Sequence, residues 1–185
     1  MITTRAALDS LNEIRSRLLQ TPEVFAVMLD ALPADFAHWR PSADRWCFTE
    51  ILKHLLLCEL HVFRPRALAL LNGSRPVLPA VDPDALLRDH GSDLPDDPEQ
   101  LLDIWRVERA ESLELLHSIA ETDMTRVAVH AQAGLITLSE LMHKWICHDF
   151  EHIRQVSRYA VWYEAPFTGP LRKLISDSAP VAQNL

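Results

Sequence analysis

No run of about 18 apolar residues, the length a membrane-crossing helix needs, occurs anywhere in this chain. The opening MITTRAALDSLNEIRSRLLQ alternates polar and apolar residues at helical spacing and lacks the apolar centre of a signal peptide. A cytoplasmic protein without a membrane partner is the expectation. Cysteine is sparse as well: Cys47, Cys58 and Cys147 are odd in number and far apart, which argues against a disulfide framework and fits a reducing compartment. Positive charge is nowhere concentrated. Eighteen Lys and Arg against 26 Asp and Glu leave a net charge of −8 with no basic cluster, so nucleic acid is not an expected partner. Internal repeats and low-complexity segments are also missing.

What is present is helical periodicity, with breakers falling between long segments rather than at strand spacing. At 185 residues the chain is long enough for one domain with a sizeable core. A first helical region covers residues 4–32, where Thr21-Pro22-Glu23 looks like a cap and restart. A second runs over 48–71 to Asn72-Gly73, and Pro65 should kink it by removing a backbone bond. Residues 73–97, with Pro76, Pro79, Pro83 and Pro95, form a long connection suited to a crossover between helices. Asp97-Pro98-Glu99-Gln100 opens a third helix to about 121, and the capping box Thr137-Leu138-Ser139-Glu140 opens a fourth to about 163. Pro166 and Gly169-Pro170 end it, which predicts a domain over residues 1–165 and a partly disordered tail over 166–185.

Four amphipathic helices can bury their apolar stripes only against each other, so the predicted fold is an all-α four-helix bundle. The stripes nominate Ile51, Leu55, Leu56 and Leu60, then Leu101, Ile104, Trp105, Leu113 and Leu116, and finally Leu141, Trp145 and Val156 as core. Phe63, Trp162 and Tyr163 are left as candidate contact surface for a homodimer.

Against this background HKWICHDFEH, residues 143–152, stands out, because three of the nine histidines fall within ten positions. His148 and His152, four apart, share a helix face and can point at one ion, whereas His143 falls off that face. An ordinary solvated helix face can carry the same pair. A third ligand would have to come from elsewhere, and the second helix offers His54 and His61, with Cys58 one turn after His54. His54 sits among leucines, where an unpartnered imidazole is costly, so it should have a partner. Asp149 and Glu151 read as surface or outer-sphere residues, and Cys58 as a small buried side chain that could line a pocket.

Two segments resemble a known family. RWCFTEILKHLLLCE, with Trp46 eight and Glu50 four before His54, is similar to the second-helix signature of the DinB/YfiT-like superfamily. HAQAGLITLSELMHKWICHDFEHIRQV, with Gly134, the capping box, His148-x-x-x-His152 and Gln155, resembles its last helix, and Arg109 matches an arginine of its third. Two departures are Cys47, standing where the family has a serine or threonine cap, and Lys53, next to the presumed ligand. The resemblance spans residues 5–160 and implies a four-helix bundle whose metal ligands are His54, His148 and His152. It implies a divalent ion, zinc or nickel before iron or manganese, and a small-molecule substrate. Thiol S-transfer or thiol-dependent isomerisation with a low-molecular-weight thiol is the implied chemistry, and a non-enzymatic metal-binding stress protein with a structural or sensory ion is the alternative. A homodimer is also implied.

Overall fold

The computed structural model describes residues 11–175. In chain order these form α1 (Leu11–Asp30), a 3-10 turn (Ala34–His38), α2 (Phe48–Cys58), a π turn (Glu59–Phe63), α3 (Arg64–Asn72), β1 (Val77–Leu78), α4 (Pro83–His90), α5 (Pro98–His117), β2 (Val127–His130), β3 (Gly134–Thr137) and α6 (Leu138–Glu164). The π turn joins α2 to α3 end to end, so four long rods make the predicted bundle: α1, α2–α3, α5 and α6. α1 packs on α5 and α6, and α2 on α5, with α6 closing the bundle.

Caps fix where the rods begin. Asp97 accepts from the N–H groups of Glu99 and Gln100 at 2.9 and 3.1 Å, with Pro98 in the first turn. Thr137 and Glu140 cap α6 reciprocally: Glu140 N–H donates to Thr137 Oγ1, and Thr137 N–H to Glu140 Oε2. Each such cap contributes about 1 kcal/mol. At α2 the weak cap Cys47 is helped by Glu50, whose Oε2 accepts from Cys47 N–H at 2.9 Å and whose Oε1 accepts from Arg40.

The two interior prolines behave differently from expectation. Pro22 does not restart α1, which runs through it. Its missing N–H would have bonded the Leu18 carbonyl four residues back; that carbonyl instead accepts from Arg109 Nη1 at 2.7 Å, with Thr21 Oγ1 3.2 Å away. Pro65 is absorbed by the π turn just before it, where Arg64 N–H reaches five residues back to Glu59. π turns of this kind are common next to functional sites.

Three short strands lie outside the helical reading. β1 pairs parallel with β2 (Val77 with Val129, Leu78 with His130), and β2 pairs antiparallel with β3, from Val127 opposite Thr137 to His130 opposite Gly134. Gly134, at φ +76°, closes the hairpin in a conformation that other residues adopt only with strain. Most expected core positions are buried, among them Ile51, Trp105, Leu116, Trp145 and Val156. Ile104 is 36 % exposed, because one step of about 100° from Trp105 turns it off the stripe. Phe63 and Trp162, expected as dimer contact surface, are instead buried at 4 % and 7 % exposure. Residues 166–174 of the expected disordered tail lie in 3-10 turns that begin at Ala165; residues 1–10 and 176–185 lie outside the described part.

Candidate metal centre

His54 from α2 faces His148 and His152, one turn apart on α6, and one nitrogen from each lies within 4.8 Å of the others. His54 Nε2 stands 3.0 Å from His148 Nε2. Two imidazole nitrogens bound to one ion at about 2.0–2.1 Å would be separated by about 3 to 3.5 Å. The His54–His148 spacing thus fits a shared divalent cation, and the three side chains are the right type for one.

Neighbouring groups orient each ring. Trp46 lies against His54 with ring centroids 4.8 Å apart. His152 donates from Nδ1 to Gln155 Oε1 at 2.8 Å, and Gln155 in turn donates to the Tyr159 hydroxyl at 2.9 Å, which leaves His152 Nε2 as the free lone pair. Phe63 packs at 5.1 Å from the His148 ring, whose Nδ1 stands 3.9 Å from Asp149 Oδ1. Burial, then the neighbouring histidines, drives His54 down to about 3. Burial and His148 take His152 down to about 4. Both are neutral at pH 7, the protonation state a metal ligand requires.

Behind the histidines is a buried charge network that ties the four rods together. Arg109 of α5, 2 % exposed, donates to Glu59 of the π turn at 2.8 Å and to Asp149 of α6 at 2.9 Å. Thr21 of α1 donates to Asp149 Oδ2 at 2.6 Å. The guanidinium lies over the rings of Trp105 and Trp145, and Trp105 Nε1 donates to Glu59. Burial works against the Asp149 charge, yet Arg109, His148 and Thr21 outweigh it and hold its carboxyl below the usual range. Of the two readings of Asp149, surface or outer-sphere, the surface one is therefore wrong: it is 1 % exposed, beside His148 and four residues after Trp145 and seven before Val156 on the core stripe. Glu151 does face solvent, paired with Lys144 at 2.9 Å. Thr21 was marked by sequence only as a helix cap and Glu59 not at all, although Glu59 lies one turn after Leu55 on the apolar stripe of its rod.

A cavity of roughly 570 Å³ opens in front of the histidines, with Trp46, Val62, Phe63, Ile136 and Leu141 giving it a mostly apolar wall. Cys58 lines it with Sγ 3.6 Å from His54 Nε2. Burial and the Asp149 charge push its thiol up to about 12, so it stays protonated. His130 is also in the wall, its Nδ1 accepting from the N–H groups of Gln132 and Ala133. His61 is exposed and stacks on His90 at 4.8 Å, and neither it nor His143 joins the histidine group. Lys53 turns away from the site to bond Gly91 O and Asp96.

The sequence profile of the DinB superfamily matches residues 17–156, a span that contains all three histidines and the whole buried network. The chain belongs to the DinB superfamily. Among solved structures, the fold is similar to YfiT from Bacillus subtilis, with a TM-score of 0.70, 16 % identity, and 80 % of this chain and 85 % of that one covered. YfiT is described as "a probable metal-dependent hydrolase with an unusual four-helix bundle topology". No curated protein sequence matches. Among the described residues of this superfamily member, no helix is long and apolar enough to cross a membrane.

Proposed function

We propose that this DinB-superfamily protein is a metal-dependent enzyme in which His54, His148 and His152 hold a divalent ion, zinc or nickel before iron or manganese. The observation that carries the reading is three imidazoles converging at the end of an open apolar cavity, with no fourth side chain in the group among the described residues. A sealed structural site would have a complete shell; three protein ligands leave room for a reactant. That favours an enzyme over a structural or sensory ion. When bound, the ion would lower the pKa of a coordinated thiol or water and supply a nucleophile at neutral pH.

The first reaction in this reading is thiol S-transfer: a low-molecular-weight thiol presents its sulfur at the histidine end and an electrophile occupies the apolar cavity. The protonated Cys58 does not compete as a nucleophile. Gln155 fixes the His152 tautomer, and Trp46 and Phe63 shield the rings from solvent. Hydrolysis by coordinated water is the second reading, favoured by the description of YfiT. The test is protein loaded with zinc or nickel, mixed with cysteine and a fluorogenic haloalkyl electrophile, and in parallel with a nitrophenyl ester. Metal-dependent thioether formation that disappears in His54→Ala is expected. Ester cleavage without thioether formation reassigns the protein to hydrolysis. A homodimer belongs to the same reading; Val27 and Val107, 67 % and 63 % exposed on the adjacent helices α1 and α5, are available as contact surface, and sedimentation decides it.

A further inference from the structure

Arg66 differs from the arginines held in ion pairs. Several described arginines have an acid: Arg40 pairs with Glu50, Arg64 with Glu108, Arg106 with Glu23, and Arg126 with Asp123. Arg66 is partly buried and has no carboxylate in ion-pairing reach among the described residues. It sits on α3 in the cavity wall, and its hydrogen bond to the described residues runs from Nη2 to the Pro79 carbonyl at 2.6 Å. That bond anchors one arm of the fork and leaves the remaining N–H donors without an acceptor among the described residues. Its charge is felt by the groups around it, at the Cys58 thiol one turn below His54 and at His130 across the cavity.

The rest of the wall does not neutralise it. Glu140, the acid in the lining, is engaged by both the N–H and the hydroxyl of Thr137. Lys144, the other cation, is already paired with Glu151. The cavity therefore presents, in a mostly apolar surround, a guanidinium with no direct carboxylate partner among the described residues and with N–H donors open to a ligand. A planar carboxylate matches the guanidinium fork with two parallel hydrogen bonds.

We propose that Arg66 makes this cavity a site for small organic carboxylates: molecules with an apolar body and a carboxylate held by the guanidinium, whose reacting group reaches the histidine end. This rests on the reading of the cavity as the substrate site and specifies the substrate class for either reaction. The volume of roughly 570 Å³ suits a molecule of that kind.

The probes are 4-phenylbutyrate and its uncharged amide, 4-phenylbutyramide, titrated calorimetrically into purified protein of measured metal content. Wild type should bind the acid at least about tenfold more tightly than the amide, as a charge-assisted hydrogen bond in a partly buried site implies. Arg66→Gln, which keeps a donor for Pro79 O but loses the charge, should reduce that preference to within about twofold at unchanged metal content. Arg66→Lys should keep part of it. A preference that survives Arg66→Gln and disappears in His54→Ala means that the acid sits on the ion, which overturns the proposal, as does equal or absent binding of the two probes by wild type. Where the preference follows Arg66 but neither thioether formation nor ester cleavage occurs, the reaction reading fails and the ligand class stands.

Discussion

Arg109 balances two carboxylates that water does not reach, so its removal should cost far more than its own contacts suggest. With Glu59 and Asp149 at 0 % and 1 % exposure, Arg109→Met leaves two buried acids without a counter-charge and opens the Leu18 carbonyl freed by Pro22. A loss of about 3–5 kcal/mol is expected, measured by urea denaturation. Gln155 makes a subtler prediction. It is partly buried, and its amide sets which His152 nitrogen carries the proton. Gln155→Leu should leave the fold intact and weaken metal binding by about 10–100-fold in titration against a chelator of known affinity. An unchanged affinity would place the ion on another histidine nitrogen.

At the scale of elements, the β2–β3 hairpin depends on Gly134. A Cβ there meets no neighbour within 4 Å, so the strain in Gly134→Ala comes from φ +76° alone. A loss of about 1 kcal/mol is expected, seen as a lowered thermal midpoint, with the histidine end unaffected. The four rods and the caps of the last two were legible in sequence because apolar stripes at helical spacing and capping motifs are local signals; spacing alone paired His148 with His152, and His54 joined them only through the resemblance to the superfamily. The hairpin was not legible. Its four-residue strands are too short for alternation to override the helical pattern on either side, and β1, two residues long, is defined by its partner rather than by its own residues. Asp149 shows a different limit. Its position on the Trp145–Val156 stripe was readable, but a charged residue is assigned outward unless its counter-charge is known, and Arg109 lies 40 positions away. The continuity of α1 through Pro22 has the same origin, since the groups that satisfy Leu18 O come in part from another rod.

For the whole molecule, an ion held by His54 and His152 would join rods 98 positions apart in sequence and exist as a site only in the folded chain. Metal at a hundredfold excess over its dissociation constant stabilises by about 2.7 kcal/mol, so chelation should lower the melting temperature. The pH response has a definite sign. His54 and His152 titrate near 3 and 4 when folded, below the 6.5 of a free histidine, so the unfolded chain takes up protons first. Stability is then full above about pH 6.5 and declines as pH falls toward 4, by up to about 1.4 kcal/mol per pH unit for each group. Proton competition at these two nitrogens within the folded site begins only near pH 4. Metal analysis and melting curves across pH 4–7 should therefore show metal retained below 6.5 and released together with unfolding; release at 6.5 from a folded protein would contradict it. The pairing of β1 with β2 has a consequence of another kind. It ties together two connections that belong to no rod, and residues from them, among them Val81, His130 and Ile136, build part of the cavity wall that is not made by the helices. Connections tolerate changes of length and composition that packed helices do not. Under the proposed function the ion and the Arg66 anchor lie on the rods, while these connections shape the remaining wall, so exchanging residues 77–83 and 130–136 between relatives should give proteins that hold the same metal but prefer carboxylates with different bodies.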